Sequence, residues 1–312
     1  MKIAFVFPGQ GSQYVGMGRE LWEKYPEGRE IFEIADRALE FPVSQLCFDG
    51  PEEELTKTAN TQPAILTTSI AALAVLNAQG IKPEVVAGHS LGEYTALVAS
   101  GAMNFIDGVQ LVRLRGQLMQ EAATGEGCGM AAILGLETPK IIEACQEASA
   151  LGIVEPANFN SPGQVVIAGE GAALDKALEL AKEKGAKRAV RLAVSGPFHT
   201  SLMRPVGEQL GEELAELEVK EPAIPVYANI SAQPYQEVGG IVPSLVSQVS
   251  SSVRWEETIT NMAAAGVTHF VEVGPGKVLS GLIKKIAKEA EVLNVEDTLS
   301  LEKTLAKLKG VG

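Results

Sequence analysis

The sequence predicts an α/β protein: a parallel sheet with helices on both faces, interrupted near its middle by a smaller βαββαβ unit. Three observations lead there. Short apolar runs at residues 3–7, 85–88, 226–228 and 270–273 alternate with helical patterns, as buried parallel strands do. Between about residues 126 and 194 the order strand, helix, strand, strand, helix, strand is the ferredoxin-like pattern. The 312 residues, 46% hydrophobic and 21% charged, are too apolar for disorder and long enough to bury a large core plus a small one. The expected division is a core of 1–125 and 195–312 with a subdomain of 126–194.

The elements follow in chain order. Residues 3–7 form a strand that ends in the loop Pro8-Gly9-Gln10-Gly11-Ser12-Gln13. Residues 62–79 form a helix, with Pro63 at its start, Ile65, Leu66, Ile70, Leu73 and Leu76 at helical spacing, and Gly80 as the stop. Residues 85–88 are the next strand and 93–100 the helix after it. Asp107 is expected to cap a helix running to about 123. The texture changes at Thr124-Gly125-Glu126-Gly127. A strand at 130–134 and a helix at 139–149, capped by Thr138, come next. Strands 153–157 and 165–168 are joined through Asn160-Ser161-Pro162-Gly163, helix 172–184 stops at Gly185, and strand 189–194 closes the unit. Strands 226–228 and 270–273 and a helix at 279–289 resume the larger sheet.

Composition excludes several classes of function. Lys and Arg total 26 against 39 Asp and Glu, a net charge of −13, which is a poor footprint for nucleic acid. Three cysteines without a CxxC pair suggest free thiols in a reducing compartment, the cytoplasm. With three His and no HExxH, no metal site is expected. No run of 18 apolar residues is present, so no membrane span is expected, and residues 1–7 read as a strand rather than a signal peptide.

Gly88-His89-Ser90-Leu91-Gly92 matches G-x-S-x-G between a strand and a helix, the setting of a nucleophile elbow. The glycines leave room for a sharp turn that exposes the Ser90 hydroxyl and turns the Leu91 N–H toward a developing oxyanion. The plainer alternative is a tight turn in which Ser90 caps the helix. Of the three histidines, His269 precedes a strand and reads as packed. His89 is too close in sequence to turn back on Ser90 and suits a supporting hydrogen bond. His199, in Ser195-Gly196-Pro197-Phe198-His199-Thr200 before a helix, is the candidate base; the helix dipole should keep its imidazole neutral. Its alternative is a cap or a packed loop residue. Asp107 and Asp175 are poorly placed for a triad, so a Ser–His dyad with a neutral acceptor fits better.

Arg115 is the other candidate. On a 100° wheel with Leu111 at zero, Leu118 and Ala122 fall about 20° to either side and Arg115 about 40° ahead, inside the apolar face. A guanidinium buried there requires an anion, either an internal Glu or the carboxylate of a substrate.

These segments, with Glu93, Arg115-Gly116 and Glu272-Val273-Gly274-Pro275-Gly276, strongly resemble the malonyl-CoA:acyl carrier protein transacylase family of fatty-acid synthesis, end to end and in order. The resemblance implies an α/β-hydrolase-like core with an inserted ferredoxin-like subdomain, Ser90 as nucleophile and His199 as base. It further implies Arg115 as holder of the malonyl carboxylate, the Gln10 and Leu91 N–H groups as oxyanion hole, and the Gln248 main-chain carbonyl as the group orienting the histidine. His89 and Asn160 become supporting partners, and Phe198 fills the space an α-methyl would need. One departure is Ser252, where the family pattern leads us to expect proline before Val253.

The implied partners are malonyl-CoA and the phosphopantetheine arm of acyl carrier protein, with no cofactor, nucleic acid or membrane, and a monomeric state. Lys182, Lys184, Lys187, Arg188 and Arg191, or Lys277, Lys284, Lys285 and Lys288, are candidate docking patches for an acidic carrier. A hydrolase using water as acceptor and a non-catalytic carrier-binding module are the rival readings.

Overall fold

The computed structural model describes residues 1–123, 127–194 and 196–310. β1 (Ile3–Phe7) is followed by α1 (Arg19–Lys24), α2 (Pro26–Leu39), α3 (Val43–Asp49), α4 (Glu52–Thr56) and the long α5 (Thr58–Ala78). β2 (Val85–Gly88) runs into α6 (Leu91–Ala99), and α7 (Phe105–Ala122) follows. Then come β3 (Gly129–Leu134), α8 (Thr138–Ala148), β4 (Val154–Ser161), β5 (Gln164–Gly169), α9 (Gly171–Glu183) and β6 (Arg188–Arg191). The chain ends with α10 (Arg204–Glu216), β7 (Val226–Tyr227), α11 (Ile241–Gln248), α12 (Trp255–Ala264), β8 (His269–Val273), α13 (Val278–Ile286), β9 (Glu291–Val295) and α14 (Thr298–Lys309).

Two sheets result. The larger has the order β7-β2-β1-β8-β9 with every pairing parallel. All five residues of β1 are buried because both faces of this sheet are covered. Phe5 and Phe7 join a core shared with α5 and α7, whereas Ala4 and Val6 join a second one with Trp255, Ile259 and Ile283. The smaller sheet is antiparallel, order β4-β5-β3-β6, and packs α8 and α9 over its own core of Ile133, Ile141, Ile167 and Leu174. This is the strand order of a ferredoxin-like unit, as the sequence order suggested. The chain on either side of that unit, at residues 124–126 and 195, lies outside the described residues.

Backbone hydrogen bonds tie the smaller sheet to the loop after α11 at a seam. β4 runs beside the loop after α11: Phe159 N–H donates to the Val253 carbonyl, and Val253 N–H donates to the Ala157 carbonyl, both at 2.9 Å. Ser252, in place of the expected proline, donates its hydroxyl to the Pro156 carbonyl at 2.6 Å, a bond no proline could make.

Several sequence expectations shift. α5 begins at Thr58, so Pro63 lies inside the helix. A proline there omits only the bond to the Ala59 carbonyl, near the helix start, while the Ala59 N–H is met by Gln120 Oε1. α5 is also long and apolar enough to cross a membrane, but 83% of its apolar window is buried inside the protein. Asn104, not Asp107, caps α7: its side chain accepts the Asp107 N–H at 2.9 Å, and Asp107 sits in the first turn, where its charge suits the dipole. Thr138 is the first residue of α8 rather than its cap. β6 stops at Arg191, short of 194.

Candidate active site

The site lies at the carboxyl end of the parallel strands, where ligands of such sheets bind. The turn from β2 into α6 is tight enough to demand its glycines. A Cβ on Gly88 would lie 1.8 Å from the Gly92 carbonyl oxygen, and one on Gly92 2.1 Å from that of Phe7. Ser90 takes φ 53°, ψ −108° and makes no side-chain capping bond, so the helix-cap alternative is not what the structure contains. Two amides hold this unfavourable backbone: Ser90 N–H donates to Asn229 Oδ1 (2.7 Å), and Gln248 Nε2 donates to the Ser90 carbonyl (2.9 Å).

Ser90 Oγ lies 2.7 Å from His199 Nε2. His199 Nδ1 faces two carbonyls, Gln248 at 2.9 Å and Ser251 at 3.1 Å. Only an N–H can face two acceptors, so the proton sits on Nδ1 and Nε2 is the acceptor toward the serine. The orienting group is therefore neutral. The imidazole is neutral too, its pKa pushed down to about 3, first by burial and then by the charge of Arg115. The sequence-based expectation named the helix dipole as the cause; burial leads instead. His269 starts β8, opposite Ile3 at the other end of the sheet, and bonds Thr268.

Arg115 is 1% exposed. Its Nη1 donates to Gln62 Oε1 (2.8 Å), and its Nη2 donates to Gln248 Oε1 (3.0 Å) and Ser90 Oγ (3.1 Å). Among the described residues Nε has no hydrogen-bond partner, and the guanidinium stands 5.3 Å from the centre of the Tyr94 ring. Among the described residues no carboxylate lies within ion-pair reach of it. The internal ion pair that the helix alone left open is therefore not found there. A buried cation with no acid in contact, touching a serine, is costly unless an anion pairs with it.

A cavity of about 200 Å³ opens over this group, with Gln10, Leu91, Met119, Met130 and Phe198 in its walls. The Gln10 side chain donates to Thr58 Oγ1 (3.2 Å). Among the described residues neither the Gln10 N–H nor the Leu91 N–H meets a backbone or side-chain acceptor. Both are available to a substrate oxygen beside Ser90. His89 Nε2 and Asn160 Oδ1 are 2.8 Å apart, joining the elbow to β4 of the smaller sheet. Among the described residues no group of three or more His, Cys, Asp or Glu side chains is placed to hold a metal ion.

Every predicted site residue thus meets in one place, through backbone or side chain. Gln62 and Asn229 went unnoticed in the sequence, because lone amides far apart in the chain carry no spacing signal. The candidate basic patches are partly spent: Lys184 pairs with Glu143 and Glu147, Arg191 with Asp175, and Lys277 with Glu296. Among the described residues Lys182, Lys187, Arg188, Lys284 and Lys288 form no ion pair.

Comparison with known proteins gives a consistent picture. A family model described as "Acyl transferase domain" matches residues 4–306. The malonyl CoA-acyl carrier protein transacylase of Bacillus subtilis is 49% identical over 310 residues, 99% of this chain and 98% of that one. That of Escherichia coli K12 is 49% identical over 287 residues, 91% and 93% of the two chains. The crystal structure of the Clostridium perfringens transacylase superposes with a TM-score of 0.97 at 47% identity, covering 100% of this chain and 98% of that one. A malonyl-transacylase in complex with its type II PKS acyl-carrier protein superposes at 0.96 with 44% identity, covering 98% and 100%.

Proposed function

The chain belongs to the malonyl CoA-acyl carrier protein transacylases of the acyl transferase family, and from that membership we propose how its residues share the work. The protein is an acyltransferase that moves a malonyl group from malonyl-CoA to acyl carrier protein, supplying fatty-acid synthesis. One observation carries the assignment of roles: a buried guanidinium, with no carboxylate in ion-pair reach among the described residues, lies 3.1 Å from the serine at the elbow.

In this proposal His199 Nε2 takes the Ser90 hydroxyl proton as Oγ attacks the thioester carbonyl. The oxyanion rests between the Gln10 and Leu91 N–H groups. The carbon–sulfur bond breaks, coenzyme A leaves with the proton from His199, and malonyl remains as an ester on Ser90. The phosphopantetheine thiol of the carrier attacks that ester in the reverse sense, giving ping-pong kinetics. Base catalysis supplies about 10²–10⁴-fold and each oxyanion donor about 10²–10³-fold. The Gln248 and Ser251 carbonyls orient His199. His89 and Asn160 brace the elbow, and Phe198 limits the space beside the acyl α-carbon. Arg115 selects the donor: a malonyl carboxylate completes its hydrogen bonding, and an acetyl group leaves it unsatisfied.

We further take residues 1–125 and 195–312 as the catalytic core and 126–194 as an inserted subdomain, in a monomeric, cytoplasmic protein that engages neither nucleic acid nor membrane. A hydrolase would use water as acceptor and calls for a carboxylate behind the histidine, where His199 Nδ1 faces the Gln248 and Ser251 carbonyls instead. Intact-mass measurement after mixing with malonyl-, methylmalonyl-, acetyl- or succinyl-CoA tests the proposal. A malonyl adduct that dominates the panel and vanishes in Ser90→Ala is the expected result. An adduct that survives in Ser90→Ala, or rapid hydrolysis without a thiol acceptor, would overturn it.

A further inference from the structure

Glu93 is fully buried on the first turn of α6 and takes no part in the acyl-transfer steps. Its carboxylate gathers donors on both oxygens. The Tyr235 hydroxyl reaches Oε1, while Gln248 Nε2 (2.7 Å) and the Asn229 N–H (3.2 Å) reach Oε2. Asn229 and Gln248 are the two residues that hold the Ser90 backbone. A carboxylate only accepts, so it obliges the Gln248 amide to turn its NH₂ inward and its oxygen toward Arg115 Nη2. Negative and positive charge are thus joined through one amide, without an ion pair. Burial, the largest influence, raises the Glu93 pKa above the usual carboxylate range, and Tyr235, Gln248, Asn229 and Arg115 pull against that rise. With donors on both oxygens, the ionised form is the one its surroundings fit.

We propose that Glu93 is the resident counter-charge of Arg115, set one amide away so that it offsets the buried cation in the empty enzyme yet leaves the guanidinium to the donor's carboxylate, and thereby sets how tightly malonyl-CoA is held. The inference rests on Arg115 being the carboxylate holder. A direct Glu–Arg pair would have to be broken by every substrate, and an uncompensated cation would be costly to bury. At one remove, Glu93 and the malonyl carboxylate share a single cation and repel each other across a low-dielectric interior.

Glu93→Gln isolates the charge. A glutamine can keep its oxygen on Gln248 and Asn229 and offer its NH₂ to Tyr235, whose hydroxyl then donates to Ser244 Oγ, 3.3 Å away. Calorimetric Kd values for malonyl-CoA and acetyl-CoA, taken in a Ser90→Ala background so that no turnover intervenes, provide the readout. E93Q is expected to lower the malonyl-CoA Kd roughly three- to tenfold while the acetyl-CoA Kd moves by less than about twofold. Tyr235→Phe, which keeps the charge and removes one donor, should leave the malonyl-CoA Kd within about twofold. An unchanged or weaker malonyl-CoA Kd in E93Q, an equal shift for both donors, or a Y235F that reproduces E93Q overturns the proposal. Should E93Q not fold, Glu93→Asp carries the test: a Kd near wild type supports it, and a fall of more than about threefold sinks it. If the unmodified enzyme forms no malonyl ester on Ser90, the proposed function fails. If it does and the E93Q affinity is unmoved, only the role of Glu93 fails.

Discussion

Arg115 stays charged inside the protein by bonding amides and a hydroxyl rather than an acid, and that choice reaches its neighbour His199. Replacing Arg115 with Ala should lower malonyl transfer roughly 100-fold, as loss of a buried charged partner does, while acetyl transfer changes less than about tenfold. Equal losses would remove Arg115 from carboxylate recognition. The same substitution carries a pH signature. With the imidazole pKa held near about 3, acylation of Ser90 by the unmodified enzyme should be flat from about pH 8 to about pH 5. Removing the positive charge raises that pKa, so the acid limb should move upward in Arg115→Ala; stopped-flow acylation by acetyl-CoA would read it. Arg115 was legible in the sequence because a helix wheel exposes a cation on an apolar face. Gln248 was reached only through family resemblance, since a main-chain carbonyl leaves no mark on residue type. Glu93 stood in plain view beside the elbow, but its role depends on Tyr235, Asn229 and Gln248, more than a hundred positions away.

At the level of elements, four strands of the larger sheet were readable because burial gives unbroken apolar runs, as in β1 and β2, whereas the edge strand β9, buried only at Val295, was not read. Helices α1 to α4 were not read: α1, α3 and α4 span at most seven residues, too few for a period to emerge, while α2 has 14 residues and its amphipathic period was overlooked. The segment that carries His199 was located in the sequence, but its conformation was not legible, because His199 is held by tertiary bonds such as that from its N–H to the Val249 carbonyl. His199 itself takes φ 61°. Two residues further on, Glu155 of β4 accepts from both the N–H and the hydroxyl of Ser201, each at 2.7 Å. Glu155→Ala should therefore loosen the histidine without touching the substrate. The expected outcome is a fall of about tenfold in the acylation rate constant with an unchanged malonyl-CoA Kd. A Kd that worsens in step with the rate would mean that the strand shapes the cavity instead.

Taken as a whole, the molecule carries a charge of −13 and acts on a carrier protein, so docking calls for a local basic surface. Lys182, Lys187 and Arg188 are the members of the first cluster without an ion pair among the described residues. They lie around the start of β6, whose continuation reaches Leu192 and Val194 in the cavity wall. Reversing these three charges should raise KM for the carrier about three- to tenfold and spare that for malonyl-CoA. The effect should fade as salt is added, because exposed charges are screened within about 8–10 Å. A carrier KM that does not move would shift attention to Lys284 and Lys288.

The hydrogen bonds from β4 to Val253 and Ser252 also bear on chimeric enzymes. Grafting the smaller sheet from a homologue onto this chain would import one half of a two-part splint for His199, the proposed base, and leave the other half behind. Such hybrids should be built with residues 248–253 travelling alongside the graft, and a transplant without them should fold correctly yet fire slowly.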